Sequence, residues 1–305
     1  VISKRISIAC VFLAWLACAA QHSEAASALD PVIAKLMAGK PGAVVILDVA
    51  SGKILAQFKL KVAAEQVTAP GSVVKPFVLL ELLRSGKLDP QQHLVCRRKL
   101  TLVGRRMDCT HSAAVTNLDA ADALAYSCNS YFAQAATRLS PSELVEAFQR
   151  AGFTARTGLA QNEDESAGRI TPAPDLSHLQ LQALGDWGVE VTPLELLGAY
   201  RTLALHKLNN DLPAAAPVFD GLERSVQYGM AHTDNGPSGI TAGGKTGTAA
   251  GNNTPQTHGF FLGYAPADKP EIVLVVYLEQ GHGSDAAEIA APILTAYQKG
   301  RISAR

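Results

Sequence analysis

The residues best suited to chemistry stand in "PGSVVKPF", residues 70–77, where Ser72 and Lys75 lie three apart. Side chains at i and i+3 share one face of a helix, so the Lys amine can reach the Ser hydroxyl. A hydroxyl is a weak nucleophile until a neighbour takes its proton. Lys can take it only when burial or nearby positive charge keeps the amine neutral. Taken alone, the pair also fits a helix N-cap followed by a surface Lys. S-x-x-K arises about once by chance in a chain of this composition.

Two further stretches carry polar groups in unusual places. "SCN", 127–129, puts Ser127 and Asn129 in a short break between two helical runs. It also fits a capping Ser beside a buried Cys. "KTGT", 245–248, sets Lys245 and Thr246 in a strand-like run, and Gly247 lets a ligand backbone approach closely. It also fits an edge strand that carries Lys against unwanted pairing. Chance does not readily place all three stretches in this order, each on the expected structural element.

The elements that must position them can be read from periodicity. "GAVVILDVASGKILAQF", 42–58, predicts two strands around Ala-Ser-Gly. From Ser72 to Leu83 the apolar spacing is helical, and Pro70-Gly71 with Pro76 puts Ser72 at or very near the helix start. Residues 112–210 read as mostly helical. Asn117 is the expected cap of "NLDAADALAY", Ser140, Pro141 and Glu143 begin another helix that Gly152 stops, and Thr192-Pro193 begins a third. Residues 154–175 and 207–238 read as loops, with the acidic run 162–165 solvated. Three strand-like runs follow at 241–250, 258–266 and 270–281, then a helix over 284–298 with Asp285 and Glu288 placed for a capping box. The expected fold is α/β of the α+β type. A five-stranded, mostly antiparallel sheet is flanked by helices, with an all-helical subdomain at about 85–235 inserted between its parts.

These segments, in this order, resemble the transpeptidase domain of the penicillin-binding proteins, the active-site-serine D,D-peptidases. "GAVVILDVASGKILA", "PGSVVKPF", "CTHSAAVTNLDAADALAYSCNSYF", "GVEVTPLELLGAY" and "GKTGTAA…HGFFLGYAP" all look like family segments, over roughly residues 42–298. The resemblance implies that Ser72 attacks a D-Ala-D-Ala peptide carbonyl, with Lys75 as general base and Ser127 as proton relay. It implies that Asn129 holds the substrate amide and orients Lys75, and that Lys245, Thr246, Gly247 and Thr248 form the substrate-binding strand. The backbone N–H groups of Ser72 and Thr248 would make the oxyanion hole, where each fixed donor is worth about 3 kcal/mol. Peptidoglycan stem peptides would be the substrates, β-lactams the covalent inhibitors, and another wall-synthesis or wall-remodelling protein a partner. The acceptor, amine or water, stays open.

Two alternatives stand beside this reading. A β-lactamase would hydrolyse the same acyl-enzyme. Residues 162–165 lie where a class A enzyme carries its water-activating Glu but lack the E-x-x-L-N pattern, and Asn129 stands where class D enzymes carry an apolar residue. The other is non-catalytic, a β-lactam sensor or a structural partner: the intact Ser72 and Lys75 argue against a dead scaffold, and a sensor is usually fused to a longer membrane region. Large family members also carry an N-terminal pedestal or a glycosyltransferase domain, and the expected catalytic domain here begins close behind the N-terminal segment.

The composition is globular, with 305 residues, 48% hydrophobic, and 27 basic against 27 acidic side chains. That balance argues against nucleic acid or an anionic membrane surface as partner. Lys4 and Arg5 precede an apolar run at 6–20 that ends in small residues, which is signal-peptide grammar. Residues 1–28 are therefore expected to be a signal, cleaved or retained as an anchor, with the folded part at 29–305 outside the cytoplasm. The "WLA" before Cys18 fits a lipobox poorly. Cys96 and Cys109 bracket a hairpin-like segment and are the candidate disulfide of an oxidising compartment. Cys128 reads as a buried thiol. Without a C-x-x-C pair or an H-E-x-x-H helix, no metal site and no cofactor are expected.

Overall fold

The computed structural model describes residues 29–160, 164–234, 236–250 and 257–303, so the expected signal segment 1–28 lies outside the described residues. Among these residues no helix is long and apolar enough to cross a membrane. The chain opens with helix α1 (Leu29–Leu36), then strands β1 (Gly42–Asp48) and β2 (Ile54–Phe58). The turn between the strands is held by Asp48, whose carboxylate accepts from the backbone N–H and the hydroxyl of Ser51, both at 2.7 Å. After helix α2 (Leu60–Glu65), a 3-10 turn (Gly71–Val74) leads into α3 (Lys75–Arg84). A helical stretch follows, made of α4 (Ala120–Ala125), α5 (Asn129–Ala136), α6 (Pro141–Arg150), α7 (Leu176–Ala183), α8 (Pro193–Asn209) and α9 (Ala216–Gln227). Strands β3 (Gly243–Ala250), β4 (Thr257–Ala265) and β5 (Ile272–Leu278) and helix α10 (Gly283–Ser303) complete the chain.

The five strands form one sheet in the order β2-β1-β5-β4-β3, antiparallel at each junction. Both faces are covered, which explains why β5 is apolar throughout and β1 is apolar up to Asp48 rather than alternating. Val44, Ile46, Leu274 and Val276 pack against Leu29, Ile33, Ile293 and Leu294 of α1 and α10. Val45, Leu47, Val273 and Val275 face the opposite core with Val78, Leu196 and Tyr200 of α3 and α8. Strand β3 is an edge of the sheet, and its outer side lies against the 3-10 turn and α9.

Several local expectations hold and several change. Ser140 with Glu143, and Thr192 with Glu195, form reciprocal capping boxes with Pro at the following position. The cap of α4 is Asp119 rather than Asn117, and its carboxylate accepts from the Asp122 N–H at 2.8 Å. At α10 the Asp285 carboxylate reaches back to the His282 N–H at 2.7 Å, so Glu288 is not the capping partner. Helix α9 lies inside a segment expected to be loop. Pro213 and Pro217 suggested a break there, but both sit in first-turn positions, where the missing N–H costs nothing.

Three glycines let the site segments touch. A Cβ on Gly71, whose φ is +58°, would stand 2.6 Å from the Thr248 carbonyl oxygen, and one on Gly185 would stand 2.1 Å from the Gly71 carbonyl oxygen. A Cβ on Gly247 would stand 2.8 Å from the Pro70 carbonyl oxygen and from Val73 Cγ1. Gly71→Ala combines a left-handed φ with this clash. It is expected to lower stability by about 1–3 kcal/mol, as read by denaturant unfolding. An unchanged midpoint would show that the turn and β3 can separate freely.

Candidate active site

Ser72 lies in the 3-10 turn one helical turn ahead of Lys75 and is partly exposed, whereas Lys75 is fully buried at the start of α3. Tyr200 pins the turn from beneath by donating its hydroxyl to the Val73 carbonyl at 2.9 Å. The break between α4 and α5 presents Ser127 in a left-handed conformation, φ 52°. This strained backbone turns both its carbonyl and its hydroxyl toward Lys75. The Lys75 Nζ donates to Ser127 O at 2.8 Å, Ser127 Oγ at 3.2 Å and Asn129 Oδ1 at 2.5 Å. Asn129 is oriented in turn, because its Nδ2 donates to the Met107 carbonyl at 3.0 Å. The first and second motifs therefore meet directly.

The third motif approaches the first from the sheet edge. On β3, Lys245 and Gly247 share one side of the strand and Thr246 and Thr248 the other. Gly247 packs against Pro70 and Val73, which brings the Thr248 backbone beside Gly71 and next to Ser72. Lys245 is fully buried, and its Nζ donates to Thr246 O at 3.0 Å. The Thr246 hydroxyl donates to Met230 O at 3.4 Å, and the Thr248 hydroxyl accepts from the Gly283 N–H at 2.9 Å. The threonine side chains thus anchor the strand to its surroundings.

Electrostatics follow from this burial. Desolvation lowers the Lys75 pKa to about 8, although the thiols of Cys128 and Cys109 and the Asp186 carboxylate pull it upward. Burial also pushes Lys245 well below its ordinary value, and the nearby Lys75 charge adds to that. The sequence reading did not single out Asp186. Burial raises its carboxyl to about 6 against the pull of Arg105 and Lys75. Arg105 donates to its backbone carbonyl at 2.6 Å and pairs with its carboxylate at 3.4 Å. No sequence signal marked it, and its position follows from Gly185, which abuts Gly71 in the fold.

Glu165, in the run expected to be solvated, is half-buried and bonded. It accepts from the backbone N–H groups of Thr157 at 2.5 Å, Gly158 at 3.1 Å and Ala160 at 2.8 Å, and from the Thr157 hydroxyl. Burial pushes its pKa up, but these donors outweigh it and the net shift is downward. Asn162 and Glu163 of that run lie outside the described residues.

The expected disulfide is not formed. Cys96 and Cys109 are free, with their sulfurs 3.5 Å apart, where a bond needs about 2.05 Å. The segment between them does turn back, pairing Thr101–Leu102 with Arg105–Arg106. The two thiols instead join His111 and Cys128 in one buried group. No sequence pattern announced that grouping, because its members are 13, 2 and 17 residues apart.

Comparison with known proteins shows the family and the fold. A sequence profile described as the penicillin binding protein transpeptidase domain matches residues 42–296. The chain is 25% identical to the peptidoglycan D,D-transpeptidase MrdA of Acinetobacter baumannii, over 87% of this chain and 52% of that protein. It is 24% identical to the probable peptidoglycan D,D-transpeptidase PenA of Neisseria flavescens, over 87% of this chain and 76% of that one. The chain thus spans about half the length of MrdA. Among solved structures, the D,D-transpeptidase domain of a peptidoglycan glycosyltransferase from Eggerthella lenta superposes with a TM-score of 0.77 at 21% identity, covering 90% and 81% of the two chains. The penicillin-binding protein PBP2 of Helicobacter pylori, solved in complex with MreC, superposes with a TM-score of 0.78 at 19% identity, covering 88% and 62%. At these identities the structural likeness speaks for the fold.

Proposed function

Because this chain belongs to the penicillin-binding protein transpeptidase family, we propose that it is a serine D,D-acyltransferase acting on peptidoglycan stem peptides that end in D-Ala-D-Ala. The observation that carries the proposal is the fully buried Lys75 amine, held at 2.5–3.2 Å by Ser127 and Asn129 one helical turn from Ser72. In its resting state the ammonium uses all three N–H donors on these acceptors. Loss of one proton frees a lone pair, and the neutral amine then takes the Ser72 hydroxyl proton as the oxygen attacks the scissile carbonyl.

The backbone N–H groups of Ser72 and Thr248 hold the oxygen on which charge develops. Ser127, already bonded to Lys75, passes the proton to the departing D-Ala amine. The C–N bond breaks and an ester on Ser72 remains. An acceptor amine then forms a cross-link, or water releases the trimmed peptide. Lys245 supports recognition of the terminal carboxylate. A buried amine that disfavours its own charge gains most when an anion enters beside it. A β-lactam, which offers a strained amide in the same place, is captured as a lasting ester.

The bonding of Glu165 weighs against a β-lactamase of the Glu-assisted kind, since its carboxylate is already committed to backbone donors. Glu165→Gln is expected to leave hydrolysis of the penicilloyl ester within about two-fold of wild type and to act only on loop stability. A deacylation rate lowered by orders of magnitude would restore the lactamase reading. The export reading of residues 1–28 and a wall-synthesis or wall-remodelling protein partner are part of the same proposal, and the complex of PBP2 with MreC from Helicobacter pylori supports looking for a protein partner.

The main experiment labels the protein with a fluorescent penicillin and follows the adduct by mass spectrometry. An adduct on Ser72 that persists for hours is the expected result, with D-Ala released from a stem pentapeptide. Fast regeneration of free protein with turnover of the drug, or no adduct at all, counts against the proposal.

A further inference from the structure

Three cysteines and one histidine converge behind the second motif. Cys96, Cys109, His111 and Cys128 are all buried, and one ligand atom from each lies within 4.8 Å of the others. The Cys96 and Cys109 sulfurs are 3.5 Å apart, Cys96 Sγ and His111 Nε2 3.5 Å, and Cys109 and Cys128 Sγ 3.7 Å. These separations are too long for a disulfide. They match the edges of a tetrahedron about a zinc ion, about 3.5–3.8 Å for Zn–S near 2.3 Å and Zn–N near 2.0 Å. We propose that Cys96, Cys109, His111 and Cys128 form a structural zinc site that clamps the Ser127–Asn129 segment in its catalytic conformation.

The outer shell is built for this. His111 Nδ1 lies 3.1 Å from the Ser112 carbonyl, so that nitrogen carries the proton and Nε2 offers its lone pair toward the sulfurs. The Ser130 N–H donates to Cys109 Sγ at 3.3 Å and the Tyr131 N–H to Cys128 Sγ at 3.4 Å. Such N–H···S bonds suit thiolates better than thiols. Arg98 donates to the carbonyls of Cys109, His111 and Ser112, holding the ligand loop and placing a positive charge beside a site whose three thiolates and one Zn²⁺ sum to one negative charge. Each thiol gives its proton to solvent as the metal binds. A soft, sulfur-rich tetrahedral set favours zinc over the hard cations.

The position gives the site its purpose. Cys128 is the residue between Ser127 and Asn129, and it caps the N-terminus of α5. Cys109 follows by two residues the Met107 whose carbonyl orients Asn129. A metal here would tie the loop 96–111 to the start of α5 and hold Ser127 in its left-handed conformation. The expectation of no metal site rested on spacing along the chain, and it is revised by this grouping.

The full chain, purified in reducing buffer without chelator, is expected to carry about one zinc by elemental analysis. Cys96→Ser and His111→Ala should each carry less than about a tenth of that, since losing a ligand costs more than the 10–100-fold that second-shell losses cost. Cobalt(II) added to the metal-free wild-type chain should give the thiolate charge-transfer and strong visible bands of a tetrahedral site, a readout that needs neither a variant nor enzyme activity. Stripping the metal should slow penicillin acylation about 10-fold or more, with recovery on adding zinc. A wild-type chain that binds neither ion stoichiometrically overturns the site, as does a metal content that survives both substitutions. A Cys96–Cys109 disulfide in the freshly purified chain also overturns it. Acylation unaffected by metal removal overturns the clamp. Metal content and the cobalt spectrum are independent of the acyltransferase reading, so the two can fail separately.

Discussion

Ser72→Ala is expected to leave the chain folded and to abolish its covalent penicillin adduct. The side chain is small and partly exposed in the 3-10 turn, so the change removes little packing and should move stability by no more than about 0.5 kcal/mol. The chemistry has no substitute. Lys75 is fully buried and held by three acceptors, and the Ser127 hydroxyl is one of them. Removing a nucleophile of this kind typically costs about 10⁶-fold in turnover, which leaves only what binding and the oxyanion donors supply. Intact-mass spectrometry after prolonged incubation with benzylpenicillin reads the result directly. An adduct of normal yield on the variant would assign the nucleophile elsewhere and undo the proposed roles of all three motifs.

The second large effect concerns Lys75. With its pKa near 8, roughly a tenth of the amine is neutral at pH 7. The neutral form is the base, so the second-order rate of acylation should rise with pH through about 8 and level off above it. Lys75→Arg keeps the positive charge but cannot lose it, and its acylation should fall about 10²–10⁴-fold at every pH. Lys75→Ala makes a less clean comparison, because it leaves the Ser127 and Asn129 acceptors without their buried donor, and each unsatisfied group costs about 1–3 kcal/mol. Stability should follow pH in the same direction. The folded pKa lies below the unfolded value of 10.5, so the unfolded chain binds more protons between about 8 and 10.5. Lys75 therefore adds stability as pH rises through that window and withdraws it as pH falls toward 8. A pH-independent acylation rate between pH 6 and 9 would remove Lys75 from the role of base.

Much of this was legible along the chain because it depends on neighbours in sequence. Pro70, Gly71 and Pro76 leave few places for a helix to begin, and the structure starts α3 at Lys75 after a 3-10 turn holding Ser72. The capping boxes at Ser140 and Thr192 are four-residue patterns whose reciprocal bonds join residues three apart in sequence. The misses share a different cause. Helix α9 was hidden by two prolines whose effect depends on whether they fall in the first turn or later. Glu165 looked solvated because its donors, Thr157 to Ala160, reach it only through the fold of the loop. The Cys96–Cys109 pair was near in sequence, yet its true neighbours are His111 and Cys128.

From the sequence alone came the strands, most of the helices, and three polar motifs in an order that resembles one family, since local periodicity and turn chemistry are properties of a few adjacent residues. Tertiary structure alone decided that Lys75 is desolvated against Ser127 and Asn129, that Asp186, paired with Arg105, lies near enough to feel its charge, and that three cysteines and a histidine gather in one buried group. Those facts rest on segments dozens of residues apart packing within hydrogen-bond distance, and burial, which sets their charge states, exists only once the chain has folded around them.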